Sequence, residues 1–332
     1  MATRSASSAR WFPNPNHGLA VIPFVALDDP AYGVSQQVSP LVRRVIARNP
    51  SKFTYHGTGT YIVGPVGGPV AVIDPGPIDD DHRLALETAL RHDTVIAILV
   101  THCHADHSPL AAWLRESSGA PTKAFGPHHP DPETSAVAAE GPTTEESIDR
   151  AFRPDQVLSG GEIAAEGPGW SLTAVHTPGH TSNHLCFSLS QERALFTGDH
   201  IMGWSTTVVA PPNGNMRDYI NSLGKVLMRS DETLWPTHGA PVVDPQALIR
   251  ALIDHRYQRE SQILELVRQA PTTISPIVAA LYADVSADLH QPAAFSVLAH
   301  LVMLVQDGLV QTDDSPQLDS VFSAFPARPS LR

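Results

Sequence analysis

The chain has 332 residues, of which 42% are hydrophobic and 17% charged, and its formal net charge is −12. That length suffices for one large core with a smaller one beside it, and an acidic balance with no run of Lys or Arg argues against a surface that tracks nucleic-acid phosphates. Two cysteines, Cys103 and Cys186, are too few for a disulfide framework and suit a reducing compartment.

The first 40 residues are rich in prolines and turn formers and read as an N-terminal arm laid over the body. They contain no continuous apolar stretch of signal type, and no later segment reads as transmembrane length, so a cytoplasmic protein without membrane contact is expected. From Leu41 the pattern becomes strand-like. Runs at 41–48, 59–64 and 69–73, rich in Val and Ile and broken by Gly and Pro, predict hairpins of an antiparallel sheet. Asp74 follows the third run, where it either supports a neighbouring site or caps the turn at Pro75-Gly76. Residues 82–93 are amphipathic enough for a helix.

The apolar run 95–100 predicts a buried strand. Directly after it stand His102, His104, Asp106 and His107, three imidazoles and a carboxylate within six positions. Histidines at i and i+2 leave a strand end on the same side, so His102 and His104 can grip one ion. Cys103, between them, is expected to face away into the core. Ser108 has the chemistry of an N-cap and Pro109 suits the first position of a helix. The partial positive end of that helix would help keep the ligand imidazoles neutral.

Residues 121–154 lack periodicity and predict a long loop, a candidate lid over a substrate cleft, with an acidic stretch at 140–146 and with His128 and His129 expected in solvent. Three further strands then end on ligand-type residues: 170–176 leads into Thr177-Pro178-Gly179-His180, 194–198 ends at Asp199, and 233–237 ends at His238. Each has a neighbouring Gly that permits close backbone approach.

His102, His104, Asp106 and His107, with His180 in T-P-G-H, Asp199 in T-G-D and His238 in T-H-G, resemble the full ligand set of the metallo-β-lactamase superfamily. The resemblance covers roughly residues 40–245. It implies an α/β fold, an αββα sandwich of two mixed sheets, spanning a catalytic domain at 41–245. It also implies a division of labour: His102, His104 and His180 on one metal, Asp106, His107 and His238 on the other, and Asp199 between them.

Beyond residue 245, helical patterns at 253–267, 275–281 and 292–305 and a short strand or wing at 308–312 resemble the winged-helix tail of lactamase-beta-like hydrolases, as does H-R-x-x-R-E at His255–Glu260. This tail is taken as a second domain, 246–332. Branches of that group include an endoribonuclease for single-stranded RNA and thioesterases of polyketide synthesis. From residue 245 onward there are six Arg and no Lys against nine acids, and the third helix carries no basic residue between Pro292 and Val305. Nucleic acid is therefore not expected as a partner; the tail is expected to pack on the catalytic domain or on a second subunit, as in a homodimer. Arg256 and Glu260 are either a surface i, i+4 pair or a border of the cleft.

The donor set suits two Zn²⁺ ions, with Fe or Mn also compatible. A hydroxide generated between them would attack a carbonyl or phosphoryl centre, with Asp106 as the catalytic proton acceptor or relay. The apolar stretch 201–212 is expected to line the pocket, with Trp204 as its wall and His184 as a second substrate contact. The expected substrate is a small-molecule thioester, ester or lactone. Single-strand RNA cleavage, β-lactam hydrolysis and mono-iron persulfide oxidation are the alternatives. Diiron oxygen-reducing members of the superfamily carry Glu at the position of His104, which favours hydrolysis here.

Overall fold

The central strands are buried on both faces, and successive side chains enter different cores, which is what stacks the layers. In the computed structural model, which describes residues 21–132, 134 and 148–325, the chain runs β1 (Gln36–Ser39), β2 (Val42–Ile46), β3 (Gly59–Val63), β4 (Pro69–Ile73), α1 (Asp80–Leu90), β5 (Thr94–Leu99), α2 (Leu110–Ser118), β6 (Thr122–Ala124) and β7 (Gln156–Val157). These seven strands form one sheet in sequence order. It is antiparallel through β4 and parallel from there on. The predicted hairpins are thus the first half of a mixed sheet. β1 belongs to it, so the stretch to residue 40 taken as an arm laid over the body joins the sheet at Gln36.

The second sheet holds β8 (Ile163–Gly167), β9 (Trp170–His176), β10 (Leu185–Leu189), β11 (Ala194–Gly198) and, after α3 (Met216–Leu227), β12 (Thr233–Pro236). Only β11 and β12 run parallel. Tyr61, Val63, Ala71, Ile73, Ala97 and Leu99 of the first sheet meet Leu172, Leu185, Phe187 and Phe196 of the second in the central core. Their sequence neighbours Ile62, Val70, Val72 and Ile98 face the other way, onto α1 and α2, as the two-residue period of a strand requires. Each fully buried side chain of this size contributes roughly 1.5–3 kcal/mol.

The outer face of the second sheet is covered by α3 and by α4 (Pro245–Gln269), which starts at an Asp244 cap with Pro at its first turn. This helix spans two cores: Leu248, Ile249 and Leu252 pack on the catalytic sheet, and Ile263, Leu264 and Val267 pack with α5 (Ile274–Leu281) and α6 (His290–Gln306). A two-stranded wing, β13 (Val310–Gln311) with β14 (Ser323–Ala324), completes the tail. Contrary to expectation, one segment among the described residues, Ala287–Gln306, is long and apolar enough to cross a membrane by length and composition alone; most of it is buried in this core, which explains why it is apolar on all sides.

Helix α2 begins one residue later than its cap signal predicts. Pro109 occupies the cap position without a side-chain bond, and Ser108 Oγ donates instead to Asp149 at 2.8 Å. In the predicted lid, residues 133 and 135–147, including all of the acidic stretch, lie outside the described residues. Within the described part, His128 is half-buried and paired with Asn213 Oδ1 at 2.9 Å rather than solvated, while His129 is exposed.

Candidate metal centre

Each loop that follows a strand at this edge of the sandwich delivers donors to one point. The β5–α2 turn brings His102, His104, Asp106 and His107; the β9–β10 turn brings His180; the ends of β11 and β12 bring Asp199 and His238. Donor atoms of His102, His104, His180 and Asp199 lie within 4.8 Å of one another, and so do those of Asp106, His107 and His238. The seven predicted residues are therefore brought together, and in the two groups anticipated.

In the first group, His104 Nδ1 faces His102 Nε2 at 2.9 Å and His180 Nε2 at 3.2 Å. Burial, followed by the neighbouring imidazoles, holds His102 well below its ordinary pKa; burial, then the imidazole of His180, does the same for His104. In the second group, Asp106 Oδ2 lies 3.3 Å from His107 Nε2 and 3.2 Å from His238 Nε2. Asp199 divides its two oxygens. Oδ1 is 3.5 Å from His107 Nε2 and 3.4 Å from His238 Nε2, whereas Oδ2 is 3.9 Å from His180 Nε2. Burial pushes the His107 and His238 imidazoles down, but the surrounding carboxylates overcome it, raising His107 well above its usual value and His238 to about 10.

The supporting bonds fix which ring nitrogen is free. Nδ1–H donates from His107 to Asp74 Oδ2 at 2.9 Å, from His180 to the Val208 carbonyl at 2.7 Å and from His238 to the Gly57 carbonyl at 3.1 Å. That leaves Nε2 of all three turned toward the centre. His102 Nδ1 lies 3.0 Å from Thr101 Oγ1, whose hydroxyl donates to Asp74 Oδ2 at 2.8 Å. Asp74 is therefore a support for both groups rather than only a turn cap. Thr58 Oγ1 donates to Asp106 Oδ2 at 2.9 Å.

Two glycines make the approach possible. At Gly179, with φ +137°, an added Cβ would come within 2.3 Å of the Tyr219 backbone. At Gly198, with φ +50°, it would come within 2.7 Å of His184 Nε2 and 2.9 Å of Thr101.

A cation fits this set. Buried acceptors and donors, including His107 Nε2 and Asp199 Oδ1, have no hydrogen-bond partner among the described residues, and three imidazoles plus a shared carboxylate beside a carboxylate and two imidazoles suit divalent first-row metals. Cys103 belongs to neither donor group: it is fully buried beside Asn183, and burial pushes its thiol up to about 11. Both thiols are free.

The expected substrate contacts separate. His184 is wholly buried behind His102, with Nδ1 2.9 Å from Thr177 Oγ1, so it backs a ligand and cannot touch substrate. His200 is likewise buried, against Tyr219. Trp204 is half-buried and packs on Gly239, next to His238. Its ring stacks on Tyr55 at 4.8 Å and 13°, an aromatic pair the sequence did not suggest; Tyr55 is held at φ +57°. Arg256 and Glu260 lie in the core rather than on the surface. Arg256 is 3% exposed and donates to the Thr207 carbonyl, with its guanidinium 5.1 Å over the Tyr219 ring.

Comparison with known proteins agrees with this geometry. Residues 56–238 match the model of the Metallo-beta-lactamase superfamily, and residues 273–319 match the Beta-lactamase associated winged helix domain. Among similar proteins, Atrochrysone carboxyl ACP thioesterase nsrC of Aspergillus novofumigatus is 30% identical over 312 residues, 90% of this chain and 88% of that one. The Beta-lactamase-like protein 2 homolog of Drosophila melanogaster is 32% identical over 82% of this chain and 91% of its own. A Beta-lactamase domain protein from Burkholderia ambifaria shares the fold, with a TM-score of 0.73 at 22% identity over 91% of this chain and 96% of that one. Ligand geometry, sandwich and tail together identify the chain as a member of the metallo-beta-lactamase superfamily that carries the associated winged helix domain.

Proposed function

We propose that this superfamily hydrolase holds two divalent cations, best matched by zinc, and cleaves a small-molecule acyl compound: a thioester first, an ester or lactone in the same class. The observation that carries the dinuclear reading is the divided carboxylate of Asp199, one oxygen toward each group of imidazoles. When bound, such a pair ionises water near neutral pH, bringing its pKa from ~15.7 to about 7, and polarises the carbonyl under attack. His102, His104 and His180 would hold one ion; Asp106, His107 and His238 would hold the other.

The remaining work falls to the chain's own residues. Asp106, with its side chain still partly open to solvent, accepts the proton of the attacking water and returns it to the departing thiol or alcohol. Thr58 holds its Oδ2, so the carboxylate keeps its aim through the cycle. Trp204 and Tyr55 offer apolar surface beside His238 for an acyl group.

The substrate class draws support from the thioesterase name carried by the Aspergillus relative. Nucleic acid is disfavoured because α6 is buried along most of its length, which leaves it no face for a groove. The test is a panel of acyl-CoA and acyl-pantetheine thioesters, lactones, nitrocefin and single-stranded RNA, each with metal-free and His104→Ala controls. Thioester cleavage lost in both controls is expected. RNA cleavage lost in His104→Ala while thioesters remain untouched would overturn the reading.

A further inference from the structure

We infer that Arg256, on the long C-terminal helix, is a positioning residue for the His102/His104/His180 group, acting through the backbone of residues 207–208. The inference rests on the metal reading above and concerns residues that touch no substrate.

The path consists of direct contacts. Arg256 Nη2 donates to the Thr207 carbonyl. Thr207 Oγ1 in turn donates to the Asp199 carbonyl at 2.8 Å and lies 3.1 Å from the His200 carbonyl. The next carbonyl, that of Val208, accepts Nδ1–H of His180 at 2.7 Å. One guanidinium therefore anchors a segment that grips the backbone of one ligand and orients the ring of another. The same guanidinium lies over Tyr219, whose backbone closes on Gly179, the residue before His180. Both flanks of the His180 turn thus lean on Arg256.

The second group is held by other parts of the chain. Asp74 orients His107, the Gly57 carbonyl orients His238 and Thr58 holds Asp106, all from the first sheet and its loops. Asp199 is shared, but the Val208 contact serves His180 alone, so loss of Arg256 acts more strongly on the His102/His104/His180 group. A guanidinium at 3% exposure is expensive to desolvate; at this position its planar fork both bonds a carbonyl and lies on a ring, which an ammonium cannot reproduce.

The experiment is cobalt(II) and zinc titration of the full-length metal-free protein against a chelator, with His104→Ala and His107→Ala supplying the spectral signature of each group. In Arg256→Ala, affinity at the His102/His104/His180 group is expected to fall on the order of tenfold, the lower end for a ligand-supporting contact, with the Asp106/His107/His238 group changed much less. Arg256→Lys should recover part of that loss. Thr207→Val, which keeps the carbonyl but releases the shared Asp199, should weaken both groups, and the double variant should lose less than the sum of the two at the His102/His104/His180 group.

In Arg256→Ala, unchanged affinity at both groups, or an equal loss at both, overturns the inference. Should Arg256→Ala not fold, Arg256→Lys decides it by the same criterion. A wild-type protein that takes up neither metal removes the metal reading itself, and this inference with it.

Discussion

Asp74→Asn removes one charge and no volume from a side chain that is 1% exposed. The carboxylate accepts from the Thr101 amide at 2.8 Å, Thr101 Oγ1 at 2.8 Å, His107 Nδ1 at 2.9 Å and Thr237 Oγ1 at 3.3 Å. An amide has one acceptor oxygen and one NH₂ donor. If the NH₂ replaces Oδ1, it faces the Thr101 N–H, a donor that cannot turn away; an orphaned buried donor costs roughly 1–3 kcal/mol. If it replaces Oδ2, His107 Nδ1 must accept instead of donate, which moves the imidazole proton to Nε2, the nitrogen turned toward Asp106 and Asp199. The first orientation costs stability at Thr101, and the second weakens the second metal group. The expected loss is ~10–100-fold in affinity, or about 1.4–2.8 kcal/mol. Asp74→Ala, which strips a buried charge from its partner, should cost about 3–5 kcal/mol of stability. Zinc–chelator competition and thermal unfolding of the metal-free protein measure the two quantities. Wild-type metal affinity together with an unchanged melting temperature in Asp74→Asn would refute the assigned role.

Metal uptake should release protons from one group and not the other. At pH 7 the metal-free protein holds protons on His107, raised well above its usual value, and His238, raised to about 10, while His102, His104 and His180 are lowered and neutral. Affinity at the second group should therefore fall as pH drops below about 10 and stay nearly flat at the first between pH 6 and 8; calorimetry in buffers of different ionisation enthalpy reads this, and zero proton release at pH 7 contradicts it. The sign for stability follows the same shift: the His238 contribution to the metal-free fold is fully present below pH 6.5 and lost as pH rises through about 10, visible as a falling melting temperature. Asp106→Ala should lose one metal and ~10²–10⁴-fold in kcat; a variant that keeps both ions and full turnover excludes the proton role. Trp204→Ala should raise KM for bulky acyl thioesters roughly tenfold with kcat little changed, and equal KM values for bulky and acetyl substrates in wild type would dismiss the apolar wall. Gly179→Ala, forced against Tyr219 at φ +137°, should cost about 1–3 kcal/mol and release metal from the first group, checked by thermal melting and metal analysis.

The seven donors were legible because each is a chemically unusual residue at the end of an apolar strand, and four of them fall within six positions. The sheet halves were legible as well, since Ile62 and Tyr61 or Ile98 and Leu99 obey a two-residue period. What supports the donors was not legible. Gly57 and Val208 act through carbonyls that every residue possesses, and Thr207 and Arg256, 49 positions apart in the chain, meet only after α4 has packed on the second sheet. H-R-x-x-R-E marked Arg256 as notable without saying whether it faced water, cleft or core. His184 and Trp204 looked equivalent as neighbours of ligands, yet β10 turns His184 inward while Trp204 sits on the Gly239 backbone. Tyr55 carried no signal, because a stacking partner 149 positions away leaves no local pattern.

Both donor groups draw on both sheets. His102 and His104 leave β5 and meet His180 from the β9–β10 turn, while Asp106 and His107 meet His238 at the end of β12. A cation in either group therefore rivets the two layers of the sandwich together at their shared rim. Its escape is then paced by how often those layers breathe apart, so the slow phase of exchange with an isotopically labelled metal doubles as a clock for opening of that edge.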